Sequence, residues 1–206
     1  MIENNFIHPT SIVSPTVKLG ENNYIGPFCY ITGNTVIGNN NRFEAYCSIG
    51  TPPEHMNMFS YTGGETIIGN DNVFREYTSV HSGATQPTLI GNKNHFLHGS
   101  HVSHDSTVED FVNFAGDVVI GGYCYIMEGA KLGLGTVCHQ RTKIGGYTMV
   151  GMSSVVTKRS VIFPGNVYIG SPAKFLKKND FGLKNSGITE EHLSQIIERY
   201  NSIKIL

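Results

Sequence analysis

The chain has 206 residues, a formal net charge of -1 and only 15% charged residues. That length supports one sizeable domain with a small appendage, and the near-neutral balance excludes the broad basic face of a nucleic-acid binder. No apolar run reaches membrane-spanning length, and the opening Met1-Ile2-Glu3-Asn4-Asn5 has no leader character, so the expected location is cytoplasmic. In chain order, an apolar residue recurs every six positions: Ile7, Val13, Leu19, Ile25, Ile31, Ile37, Phe43, Ile49. The period resumes at Ile68, Phe74 and Val80. It resumes again at Ile90 and runs through Phe96, Val102, Val108, Phe114, Ile120, Ile126, Leu132, Cys138, Ile144, Val150 and Val156 to Ile162. Gly often follows the apolar residue, as at Gly20, Gly38, Gly69, Gly121 and Gly145, and the fifth position is usually small, as at Ser11, Thr78, Ser106 and Ser154.

A strict period of six, sustained this long in a chain only 39% hydrophobic, predicts a solenoid. Each hexad makes one short strand and one corner, and three hexads make an 18-residue coil. The apolar residue points inward and Gly relaxes the corner. The expected fold is all-β, a left-handed parallel β-helix with a short C-terminal helix. The period breaks between Ile49 and Ile68 and between Val80 and Ile90, which places external loops at residues 51–67 and 82–89. The β-helix is expected over residues 1–170 and a C-terminal extension over 171–206. Residues 163–187, with Pro164, Pro172 and several glycines, read as extended or looped. Residues 189–203 read as a helix: Thr189 is a candidate N-cap, and Leu193, Ile196, Ile197, Tyr200 and Ile203 share one face. It should pack on the prism end or on a neighbouring subunit.

Two residue types could carry chemistry. Cys29, Cys47 and Cys124 occupy small-residue positions and Cys138 an apolar one, so the four cysteines read as core, with no metal site expected. Five histidines cluster between positions 81 and 104: His81, His95, His98, His101 and His104. None is at the inward position, so they should lie on the outer surface. Steps of 18 from His104 reach Gly122 and then Gln140, which puts all three in one column. A base beside a backbone without a side chain suits acyl transfer, in which a base activates a nucleophile and an N–H steadies an oxyanion.

The segment His101-Val102-Ser103-His104-Asp105, with Phe74-Arg75-Glu76 and Val80-His81-Ser82-Gly83 before it and Cys138-His139-Gln140 after it, resembles the UDP-N-acetylglucosamine O-acyltransferase family of lipid A biosynthesis. Ile7-His8-Pro9-Thr10 and Gly182-Leu183-Lys184 are similar too, and the resemblance runs from about residue 68 to 187. It implies His104 as general base, Asp105 as its orienting partner and the Gly122 amide as oxyanion donor. It implies that His81 and His101 line the sugar-nucleotide site and that His139 and Gln140 contact donor or substrate. It further implies a homotrimer with sites between subunits, and an acyl group delivered on the phosphopantetheine of acyl carrier protein. Met152 falls where the family sets acyl-chain length, and its bulk implies a short or medium chain. Lys158, Arg159, Lys174, Lys177 and Lys178 are candidates for receiving an acidic carrier protein.

The chain departs from the family at Pro52-Pro53-Glu54-His55-Met56-Asn57-Met58 in the first external loop, at Tyr123, and at Asn185 and Ser186 in place of paired arginines. The acceptor therefore need not be UDP-N-acetylglucosamine. A coenzyme A thioester as donor, with N-acylation of an amino-sugar nucleotide, is the alternative. A zinc lyase resembling the γ-type carbonic anhydrases fits less well, because histidine spacings of three and six do not match that family's pairing. A non-catalytic scaffold is the remaining alternative.

Overall fold

The computed structural model describes residues 4–54 and 63–205. His55, Met56, Asn57 and Met58 of the first external loop lie outside the described residues. Successive hexads form two-residue strands, beginning Phe6–Ile7, Ile12–Val13 and Lys18–Leu19. Among the described residues these assemble into three sheets of ten, eight and seven strands, the walls of a triangular prism. Pairing is parallel, with Ile7 opposite Ile25 and Val102 opposite Ile120, so one coil is 18 residues. The chain is a left-handed parallel β-helix.

The inward residue of each hexad fills the prism. Phe43, Phe74 and Phe96 stack nearly parallel, with ring centroids 4.7 and 4.9 Å apart, and are fully buried. All four cysteines are free and buried. One corner is knitted by a buried asparagine ladder. The Asn23 carboxamide oxygen accepts from the Asn41 backbone N–H at 2.9 Å, that of Asn41 from Asn72 at 3.0 Å, and that of Asn72 from Asn94 at 2.9 Å. Each rung satisfies a backbone donor that the corner would otherwise strand in a dry interior.

The glycines after the apolar positions serve a purpose other than the expected one. Apart from Gly50, they do not adopt positive φ; that conformation falls two residues later, on Asn22, Asn40, Asp71, Lys93 and Tyr123. What they need is space. A Cβ on Gly20 would stand 2.7 Å from the Gly38 carbonyl oxygen, and one on Gly121 would stand 2.7 Å from the Gln140 nitrogen. Coil-to-coil approach selects Gly here, while the left-handed corner is taken by non-glycine residues.

Both breaks in the period fall at one corner, between the eight-stranded and seven-stranded sheets. Strand Ser48–Thr51 leads into the first insertion and Glu65–Ile68 out of it; Ser79–His81 leads into the second and Thr88–Ile90 out of it. Strand pairing thus resumes earlier than the expected loops 51–67 and 82–89 allow. The next turn on that edge is His104-Asp105.

After Ile162 the chain is more ordered than its Pro and Gly content implies. Strand Asn166–Ile169 continues the ten-stranded sheet, and Lys174–Lys178 pairs with it antiparallel. Helix α1, Asp180–Ser186, follows. Its N-cap is Asn179, whose side chain accepts from the Gly182 N–H, and Gly187 closes it in the left-handed conformation. An internal Gly and an Asn-Ser end hid this helix from a propensity reading. Helix α2, Glu190–Ser202, has Thr189 as its N-cap and buries Ile196 and Tyr200. It lies against Met127, Tyr125 and Tyr147 on the prism's flank, rather than on its end. Polar contacts hold it there too. Arg199 reaches Glu109 at 2.5 Å and Glu128 at 3.4 Å, and His192 reaches Glu128 at 2.5 Å. The Lys143 ammonium donates to the carbonyls of Tyr200 and Ile203. Among the described residues no helix is long and apolar enough to cross a membrane.

Candidate active site

The site is built on the corner that carries the insertions. His104 and Asp105 form a turn outside the prism, with Asp105 at φ 60°. His104 Nδ1 and Asp105 Oδ2 are 2.5 Å apart. The second insertion grips the carboxylate. The Ala84 amide donates to Oδ2 at 2.9 Å, and the amides of Thr85 and Gln86 donate to Oδ1 at 2.7 Å each, joined by the Thr85 hydroxyl at 2.9 Å. The Gln86 carboxamide also donates to the Asp105 backbone carbonyl at 2.7 Å. Burial alone would raise the Asp105 pKa; the hydrogen bonds from His104 and from the amides of Thr85, Gln86 and Ala84 outweigh it and hold the carboxyl below its usual value. Asp105 is therefore an acceptor at neutral pH. That fixes the proton of neutral His104 on Nδ1 and leaves the Nε2 lone pair free to act as a base.

The column read from the sequence is present. Tyr123 N–H donates to the His104 carbonyl at 3.0 Å and Arg141 N–H to the Gly122 carbonyl at 2.8 Å, so positions 104, 122 and 140 stack in register. Gly122 lies directly against the imidazole: a Cβ there would stand 2.7 Å from His104 Cε1 and 2.8 Å from Nε2. The Gly122 N–H has no hydrogen-bond partner among the described residues. One coil further on, His139 and Gln140 are exposed, and His139 Nδ1–H donates to the Gln140 carbonyl at 2.7 Å.

The expectation of surface histidines needs correcting. His95 and His98 are exposed, but His104 and His81 are only 7% and 9% exposed, because the second insertion and its neighbours roof them over. Tyr123 packs edge-on against His104 at 5.4 Å, and its hydroxyl lies 3.2 Å from that of Thr85. His81 and His101 pack edge to face at 4.7 Å. The remote nitrogen of His101 lies 3.9 Å from a Glu54 carboxylate oxygen, while its Nδ1 bonds Ser79 Oγ at 2.8 Å. Burial, then the neighbouring His101, lowers the His81 pKa to about 4; burial also lowers that of His101, with Glu54 opposing. Both rings are neutral at pH 7.

Met152 is not brought to this edge. It is 70% exposed and stacks one coil beyond Leu134, in a corner column separate from that of His104. Glu54, Ser79, Thr85 and Gln86 also belong to the site region. Sequence reasoning missed them because Glu54, Thr85 and Gln86 lie in insertions, outside the period, while Ser79 looks like any outward strand residue.

The chain is thus a β-solenoid of six-residue repeats with a histidine–aspartate dyad on its outer edge. The family model described as bacterial transferase hexapeptide (six repeats) matches residues 16–51. Part of the chain is also similar to proteins named UDP-N-acetylglucosamine O-acyltransferases. It is 36% identical to the acyl-[acyl-carrier-protein]–UDP-N-acetylglucosamine O-acyltransferase of Thiobacillus denitrificans over 55% of this chain and 43% of that protein. To the protein of that name from Gloeothece citriformis it is 31% identical, over 59% of this chain and 44% of that one. The matches thus span under half the length of these curated relatives. Among solved structures, the Francisella novicida UDP-N-acetylglucosamine acyltransferase aligns with a TM-score of 0.79 at 25% identity, over 95% of this chain and 79% of that one. The Bacteroides fragilis enzyme aligns with a TM-score of 0.77 at 26% identity, over 95% of this chain and 84% of that one.

Proposed function

We propose that this protein moves a short or medium acyl group from the phosphopantetheine thioester of acyl carrier protein to a hydroxyl of a nucleotide-linked sugar. The observation that carries the reading is the His104–Asp105 dyad, held by three loop amides and pressed against the bare backbone of Gly122. His104 Nε2 removes the acceptor's proton as its oxygen attacks the thioester carbonyl carbon. The tetrahedral oxyanion is steadied by the Gly122 N–H. The carbon–sulfur bond then breaks, and the departing thiolate takes the proton back from the His104 imidazolium. Asp105 stays ionised throughout, orienting the ring and stabilising its charged form.

His81 and His101 line the acceptor side, and His139 and Gln140 contact the donor or acceptor from the next coil. The roof over His104 supplies part of the shelter from water, and a homotrimer supplies the rest. The outward residues Val119 and Val137, paired in register and 37% and 43% exposed, support an apolar contact between copies. In that assembly Met152 limits the acyl groove, and Met152→Gly extends the accepted chain, read as a shifted chain-length profile. The location is the cytoplasm.

A panel decides the reading: acyl carrier protein and coenzyme A thioesters of graded length, each offered with hydroxyl-bearing and amine-bearing sugar nucleotides. Turnover from carrier protein onto a hydroxyl is the expected result. Turnover only from coenzyme A onto an amine replaces it with N-acylation, and no turnover with any pair overturns it.

A further inference from the structure

Beside the dyad, but apart from it, three donors converge. One ligand atom from each of Glu54, His81 and His101 lies within 4.8 Å of the other two. We infer that this trio binds one divalent transition-metal ion of the zinc class. The spacings of three and six in the sequence gave no sign of it, because the third donor comes from the first insertion.

The second observation is what the trio leaves undone. His81 Nδ1 and His101 Nε2 are buried, and neither has a hydrogen-bond partner among the described residues. Two orphaned nitrogens on rings packed 4.7 Å apart are costly unless something fills the space beside them. Burial keeps both rings neutral, the form that ligates. If His101 donates Nδ1–H to the Ser79 hydroxyl, its Nε2 lone pair is free for an ion, the usual outer support of a metal-binding histidine. Distances fit as well. His101 Nε2 and the Glu54 oxygen are 3.9 Å apart, too far for a hydrogen bond. Two ligands on tetrahedral zinc stand roughly 3.4 Å apart. Glu54 is exposed, so closing that gap needs only a small shift of a free side chain. Two imidazoles and one carboxylate leave a fourth position open to water or a polar ligand.

The trio takes two histidines that the acyl-transfer reading places on the acceptor side, but its test needs no turnover and so fails or succeeds separately from that reading. Full-length protein, stripped with a chelator, is titrated with Co2+ by visible absorption and with Zn2+ against a chelating dye. One ion per chain is expected. His81→Ala, His101→Ala and Glu54→Gln should each weaken binding at least tenfold, while His139→Ala leaves it unchanged. Glu54→Gln alters an exposed side chain and keeps the test valid if a histidine variant fails to fold. Wild-type binding no tighter than that of Glu54→Gln, or lost equally in His139→Ala, overturns the proposal.

Discussion

Two edges of the same prism carry columns of polar side chains, and they are built on opposite rules. On one, Asn23, Asn41, Asn72 and Asn94 repeat a single residue, each bonding the next, and all are at most 1% exposed. On the other, His104, Gly122 and Gln140 stack without repeating a residue. Two insertions interrupt the coils, His104 meets Gly122 across one strand spacing, and two histidine nitrogens have no partner among the described residues. A regular ladder spends its hydrogen bonds within itself and gives stability. An irregular column keeps donors and acceptors in hand for something outside the chain.

The widest separation of the two edges should come from His104→Ala. Turnover should fall by two or more orders of magnitude while the chain stays folded, since the ring packs outside the prism. A variant with near-normal turnover would remove His104 as the base. Gly122→Ala comes next. Its Cβ would fall 2.7 Å from the imidazole and displace it, so kcat should drop ten- to a hundredfold with folding retained. Full activity in that variant would mean the ring has room the structure does not give it.

The ladder should respond in the reverse sense. Asn72→Ala strands the buried Asn94 N–H and should cost about 1–3 kcal/mol in chemical denaturation, with turnover intact. The smallest effect is one of slope. Burial lowers the His81 pKa from 6.5 to about 4, so the unfolded chain takes up a proton before the folded one does. In metal-free protein, stability should therefore decline as pH falls from 6.5 to about 4, and His81→Gln should flatten that decline. An unchanged slope would show that the ring is not buried in solution.

The contrast also explains what could be read from the sequence. The ladder edge and the core follow the period, so Phe74 or Val102 can be assigned by counting. Counting also put His104, Gly122 and Gln140 in one column. It could not foresee the grip of Ala84, Thr85 and Gln86 on Asp105, because an insertion has no register. The same blind spot hid Glu54 and led buried His81 and His104 to be expected on an open surface. The glycines were found for the wrong reason, since a frequent Gly cannot distinguish a strained φ from a crowded neighbour.

The fastening of helix α2 has its own consequence. Ile196 and Tyr200 hold it by apolar burial, while Arg199 holds it to Glu109 and Glu128 by charge. These two attachments answer to different variables. Added salt screens the ionic one and leaves the other, whereas cooling weakens the apolar one first. The helix is thus a clasp with two fastenings, each of which can be loosened without touching the other.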